Sequence, residues 1–254
     1  MRKVAALGIV LAIAAGAQAA IIAGDVVSID INSGGNVNAT GDNWNNWGSA
    51  DEGDEQPGDP GARFNDHDPD DILIADLIRR SDGAATGVSW VGTEVNNTTD
   101  WGTETTADYD EATTTGFPIS ATRDLGFTVD DEGTVGDGTI VFEFRNLNTA
   151  LTYDFEFFGG IGSGPRLESV FTETTTGGGS ASDSYQPLNN TDDIATLSDL
   201  APDANGTIEI TWGLGGGSGS STILSVVQFT AVPEPATMGV LGLGGLAILR
   251  RRRR

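Results

Sequence analysis

Ile140-Val141-Phe142-Glu143-Phe144-Arg145 and, five residues later, Leu151-Thr152-Tyr153-Asp154-Phe155-Glu156-Phe157 are the stretches on which the fold turns. Apolar and polar residues alternate in both, which puts Ile140, Phe142 and Phe144 on one face and Glu143 and Arg145 on the other. That period of two belongs to a half-buried β-strand. The short link Asn146 to Ala150 predicts that the two strands are adjacent and antiparallel. Thr207 to Trp212 repeats the alternation, with Ile208, Ile210 and Trp212 inward. Ile223 to Val232 is more uniformly apolar and reads as one strand covered on both faces, ending at Pro233. Val26 to Ile31, Gly87 to Val91, Leu125 to Val129 and Leu167 to Thr174 are further strand candidates. Only Asp70 to Arg80, through Ile72, Ile74, Leu77 and Ile78, has the spacing of a short helix. Seven or eight strands with Gly-, Asp- and Asn-rich turns predict an all-β fold, a β-sandwich of jelly-roll type.

The ends of the chain are of another kind. Arg2 and Lys3, the apolar run Val4 to Ala15 and the small-x-small site Ala17-Gln18-Ala19 have the layout of a secretory signal peptide, with cleavage expected after Ala19. At the other end Val232-Pro233-Glu234-Pro235 precedes the apolar stretch Ala236 to Leu249 and the block Arg250, Arg251, Arg252, Arg253 and Arg254. Two prolines end regular structure and predict a stiff, exposed spacer. The arginine block resists crossing a bilayer and acts as a stop. The apolar stretch is 14 residues with four glycines, shorter than the roughly 20 of a full span. Long arginine stems and local bilayer thinning make a marginal span workable, which suits a temporary anchor. The expected domains are therefore 1–19, a leader; 20–231, the sandwich body; and 232–254, the sorting segment.

The Pro-Glu-Pro triplet, the single Gly/Leu-rich apolar segment and the arginine cluster resemble the PEP-CTERM sorting signal of exported Gram-negative bacterial proteins. The resemblance implies transient inner-membrane anchoring and recognition of Pro233, Glu234 and Pro235 by an exosortase-type membrane peptidase. Transfer to the surface or to extracellular polysaccharide would follow. A softer resemblance runs through Ser28-Ile29-Asp30-Ile31, Asn43-Trp44-Asn45, Phe117-Pro118, Phe144-Arg145-Asn146-Leu147 and Phe157-Phe158-Gly159. In that order these segments are similar to galactose-binding-like jelly rolls found in carbohydrate-binding modules. They imply a sandwich, a structural calcium and a sugar-facing set of loops.

Composition narrows the chemistry. Once leader and tail are set aside, the body holds six arginines and every carboxylate of the chain's 37 except Glu234. Such a surface repels nucleic acid and phosphate polymers, so nucleic-acid binding is excluded. Its self-repulsion calls for high salt or bound divalent cations. There is no cysteine and one histidine, His67. Cysteine nucleophiles and ordinary zinc sites are thereby excluded, and a Ser-His-Asp triad would have to use a histidine set in an acidic loop.

Carboxylate chemistry remains. Asp66, Asp68, Asp70 and Asp71 supply hard oxygen ligands over a short arc, as Ca²⁺ requires, or are a solvated acidic loop. The spacing is not that of an EF-hand. Trp44 and Trp47 lie among Asn43, Asn45 and Asn46, a composition that fits sugar stacking and equally a plug in the end of a sandwich. The long polar links Asn32 to Ala62, Asn96 to Thr115 and Thr175 to Asp193 are expected to be functional or mobile. The first expectation is a non-enzymatic exported surface or matrix protein. A carbohydrate-binding module with structural calcium is the alternative, and a secreted carboxylate-dependent glycoside hydrolase the second.

Overall fold

A computed structural model of the chain describes residues 21–32, 40–41, 43–48, 63–64, 71–94, 99–105, 114–130, 139–175 and 181–234. The strands in chain order are β1 (Val26–Asn32), β2 (Asn45–Gly48), β3 (Arg63–Phe64), β4 (Asp71–Ile74), β5 (Ser89–Glu94) and β6 (Thr99–Thr105). One short helix, α1 (Ile119–Arg123), precedes β7 (Asp124–Asp130), β8 (Ile140–Arg145), β9 (Leu151–Phe158) and β10 (Leu167–Glu173). The last strands are β11 (Ser182–Tyr185), β12 (Ala195–Leu200), β13 (Ile208–Gly217), β14 (Ser221–Leu224) and β15 (Val226–Pro233).

Two large sheets form the sandwich, in the orders β12-β9-β15-β1-β2 and β11-β10-β13-β8-β5-β4. A third sheet, β14-β7-β6-β3, accompanies them. Within the two large sheets, β1-β15-β9-β12 faces β8-β13-β10-β11, and every neighbouring pair in these two sets is antiparallel. The chain switches sheets between successive members of the eight, except from β10 to β11. That interleaving is the double Greek key of a jelly roll. Residues between β1 and β8 contribute the edge strands β2 and β4, the strand β5 between β4 and β8, and most of the third sheet.

The alternation seen in the sequence explains the core. Phe144 and Phe142 lie opposite Ile208 and Ile210 in one sheet, while Tyr153, Phe155 and Phe157 lie opposite Ala231, Phe229 and Val227 in the other. Their inner faces meet: Phe144 and Phe155 approach to 4.9 Å between ring centroids, and Phe157 stacks on Phe171 at 4.0 Å. A smaller cluster of Trp44, Ala121, Phe158 and Val226 covers the outer face of the β9–β15–β1 sheet, with Phe117 packed on it. The sheet is therefore buried on both faces at its Phe158–Val226 end, while Asp154, Glu156, Gln228 and Thr230 on the outer face stay half-buried.

Four expectations are corrected. First, β8 and β9 do not pair; they lie in opposite sheets. Asn146 adopts φ 66° and the Leu147 amide donates to the Gly206 carbonyl at 2.8 Å, so the link turns under the sandwich as an arch. Gly206 itself has φ +80°, and a Cβ there would sit 2.5 Å from the Leu147 oxygen. Second, residues 71–74 form a strand on β5, and an Ile78–Ala85 bridge follows, where a helix was expected. Ile72 and Ile74 also satisfy a period of two, and pairing with β5 decides between the periods.

Third, Ile223 to Val232 is two strands in different sheets, divided at buried Ser225. The Ser225 amide donates to the Phe158 carbonyl and its carbonyl accepts from the Ile31 amide, each at 2.8 Å, as the chain passes between sheets. A high apolar content reports burial and is silent about which sheet does the burying. Fourth, Pro233 is not wholly in a spacer. It is the last residue of β15 and lies opposite Leu151, at the ladder end where a missing N–H does least harm. The long polar links also contain β2, β6 and β11.

Candidate functional site

The segment that leads into the Pro-Glu-Pro triplet is held from both sides. Thr230, Ala231, Val232 and Pro233 lie opposite Asp154, Tyr153, Thr152 and Leu151 of β9. On the other flank the Ala231 amide donates to the Asp25 carbonyl at 2.9 Å, and its carbonyl accepts from the Gly24 amide at 2.8 Å. Ile21 to Asp25 thus lies over the tail's exit. Asp25 fixes this segment: its carboxylate accepts from the Ile22 amide at 2.9 Å and from Arg79 at 3.3 Å. Ile21 is buried in the main core, while Ile22 is 58% exposed. Glu234 is the last described residue, and Pro235 and the five terminal arginines lie outside the described residues. So do Ala17 and Ala19 of the leader. Among the described residues no helix is long and apolar enough to cross a membrane.

Loops 21–25, 75–88, 146–150 and 201–207 lie at this end of the sandwich, as does the start of the link from β10 to β11 at Thr174. Tyr153 ties one of them down: its hydroxyl accepts from the Asn148 amide at 2.9 Å and donates to the Asn148 carbonyl. Burial pushes the Tyr153 phenol up to about 12. The carboxylates of these loops all accept from backbone amides. Asp76 takes Gly87, Asp82 takes Ala84, and Asp203 takes Asn205 and Thr207. The Ala84 amide, with Arg79, holds Asp82 below the usual carboxylate range, and the Thr207 amide does the same for Asp203. Between the loops lies an open cleft of about 630 Å³ lined by Ile21, Thr86, Gly87, Asn146, Leu147, Asn148 and Thr149.

The two tryptophans read as a sugar-stacking pair are instead packed into the protein, each only 6% exposed. Trp47 meets Trp90 edge-on at 5.5 Å within the main core. Trp44 is edge-on to Phe117 at 6.4 Å, and the Arg80 guanidinium lies 4.8 Å above its ring. Their asparagine neighbours serve the backbone: Asn45 bonds to the Ser28 carbonyl and to both amide and carbonyl of Ile78. Neither ring is free to stack on a sugar: Trp47 belongs to the main core and Trp44 to the cluster on the outer face of the sheet.

Of the proposed calcium ligands, Asp66, Asp68 and Asp70 lie outside the described residues, as does His67, and Asp71 opens β4. Among the described residues no group of three or more His, Asp or Glu side chains is arranged to hold a metal ion. Sequence reasoning missed the Ile21–Asp25 segment and Arg79. The Gly24-Asp25 pair ahead of an apolar strand was the available signal, a turn dipeptide with Gly24 at φ +91°.

Among solved structures, the chain is similar to TmCBM61, described in complex with beta-1,4-galactotriose, at 13% identity and a TM-score of 0.34 over 57% of this chain and 88% of that one. It is similar to a cyclase from Fischerella sp. TAU at 13% identity and a TM-score of 0.35, over 57% of this chain and 85% of that one. A family 11 carbohydrate-binding module from Clostridium thermocellum gives 11% identity and a TM-score of 0.25, over 58% and 90%. Likeness of this degree carries no inference about ligand or reaction. Comparison with curated protein sequences finds no match. The family models are decisive at one place, which is where β15 ends: residues 231–254 are a PEP-CTERM protein-sorting motif.

Proposed function

We propose that the chain is an exported, non-enzymatic surface or matrix protein whose tail is processed by an exosortase-type peptidase. In this reading the apolar segment 236–249 anchors the chain in the inner membrane and the arginine block stops it there. The peptidase then acts at Pro233-Glu234-Pro235, and the sandwich body passes to the cell surface, in association with exopolysaccharide. The observation that carries the reading is positional. The sorting motif begins at Ala231, inside the final strand, so only Glu234 and Pro235 separate the ordered body from the apolar segment. Such a tail has no room for a further domain between body and membrane, and delivery of the sandwich is the task left to it. The absence of cysteine and the single histidine support a non-enzymatic body.

The test is replacement of Pro233, Glu234 and Pro235 by alanine in the producing cell. Uncleaved protein is expected to accumulate in the inner-membrane fraction. Maturation at the parental rate would defeat the proposal. A glycan array probed with the released body, with and without Ca²⁺, examines the association with polysaccharide separately.

A further inference from the structure

Before it is cut, an anchored body must turn some face toward the lipid, and its surface is not uniform. Loops 21–25, 75–88 and 201–207 at the tail end contain Asp25, Asp76, Asp82 and Asp203, and each carboxylate is engaged by backbone amides or by Arg79. Arg79 and Arg80 belong to the same loops, and Arg145 ends the strand that leads into the 146–150 arch. Of these, Arg79 faces Asp25 and Asp82, Arg80 turns its guanidinium over Trp44, and Arg145 is paired with Glu143 at 2.8 Å. Among the described residues, the cleft between the loops has no charged residue in its lining; Asn146, Asn148, Thr149 and Thr86 present hydrogen-bonding groups there. Exposed Ile22 lies beside it.

The acidic runs join the sandwich elsewhere. Residues 66–70 lead into Asp71, and 131–137 lead toward Ile140, at the starts of β4 and β8. Asp71 lies opposite Gly92 and Ile140 opposite Glu94, whereas Arg145 at the tail end lies opposite Ser89. Both runs thus meet the body at its far end.

We propose that the tail end of the sandwich, with the Asn146–Thr149 cleft and Ile22, is the surface that the anchored body presents to the bilayer. The partner it fits is a lipid headgroup layer. The hydrogen-bonding lining of the cleft and exposed Ile22 suit a polar headgroup layer, and the charged carboxylates of the surrounding loops are held back by backbone amides and Arg79. Chain length enforces the contact: Pro233 is fixed in the sheet, and three further residues, at most about 11 Å of chain, reach Ala236. That is less than the depth of the headgroup layer plus a spacer. The proposal rests on the anchoring described above and adds an orientation to it.

The chain contains no cysteine, so single labels are straightforward to place. Thr149→Cys and Ser163→Cys put a dye on exposed loops at the two ends of β9, whose eight residues separate them by roughly 26 Å. The full chain is reconstituted in phosphatidylethanolamine–phosphatidylglycerol vesicles with a nitroxide on the headgroups. Loss of fluorescence is expected at Thr149→Cys and none at Ser163→Cys. Equal quenching at both sites of protein that floats with the vesicles would overturn the orientation alone. Flotation no greater than that of a chain ending at Pro235 would overturn the anchoring and the orientation with it. Parental melting of both labelled proteins confirms that neither label disturbs the fold.

Discussion

Tyr153 shows how one side chain serves both core and loop. Its ring packs against Phe229 at 6.1 Å, while its hydroxyl closes the 146–150 arch on Asn148. Tyr185 is a second buried phenol, donating to the Ile223 carbonyl at 2.6 Å, and burial raises its pKa as well. Both groups keep their protons in the folded protein after an unfolded chain has begun to lose them near pH 10. Their stabilising effect is complete below that value and is lost as pH climbs, for Tyr153 through about 12. The melting temperature is expected to fall steeply above pH 10. Tyr153→Phe should lower it by the equivalent of about 1 kcal/mol at neutral pH and flatten the alkaline decline. Calorimetry across pH 8 to about 12 checks both, and an unchanged alkaline slope in the variant would refute the assignment. The sequence showed Tyr153 as an inward residue of an alternating strand. It could not show the bond to Asn148, because a hydroxyl's partner depends on how the intervening loop turns.

The elements were legible where each strand alternates and illegible where strands choose partners. Alternation identified β1, β8, β9, β10 and the start of β13 because a period of two is a property of one strand in isolation. Pairing is a property of two strands and a link, and the link 146–150 holds Asn146 at positive φ and buries Leu147 between sheets. A two-residue Asn-Gly hairpin turn in place of Asn146 to Ala150 would force β8 and β9 into one sheet and pull Phe144 off Phe155. Near-ultraviolet circular dichroism is expected to lose its aromatic bands and the cooperative melt to disappear. A folded protein of parental stability would show that the arch is dispensable. The candidate sugar site failed at this level too. Polar neighbours suggested exposure for Trp44 and Trp47, yet those asparagines face backbone groups of β1 and the 75–88 loop while the rings turn inward.

For the molecule as a whole, charge is the property the sequence stated most plainly. The formal net charge of −24 is a lower bound on what the body feels, since seven of the thirteen basic residues lie in the leader and the terminal block. Repulsion of this size weakens as the screening length falls from about 10 Å at 0.1 M salt to about 3 Å at 1 M. The melting temperature of the body is therefore expected to rise with NaCl over that range. A flat or falling dependence, measured by calorimetry at constant pH, would mean that the carboxylates are already balanced within the fold. The sorting motif was equally plain, because three parts in fixed order need no tertiary information. Its union with the last strand was not, since a proline signals the end of a ladder without saying whether it occupies the final rung.

Strand β15 lies between β9 and β1, yet it is the last strand to be synthesised. Until Pro233 has cleared the export channel, β1 has lost its main partner and Phe229 has no place among the rings of Phe144, Phe155 and Tyr153. Everything ahead of it must therefore travel as an unfinished chain. Closure of the sheet waits for the moment when the apolar segment is itself entering the lipid.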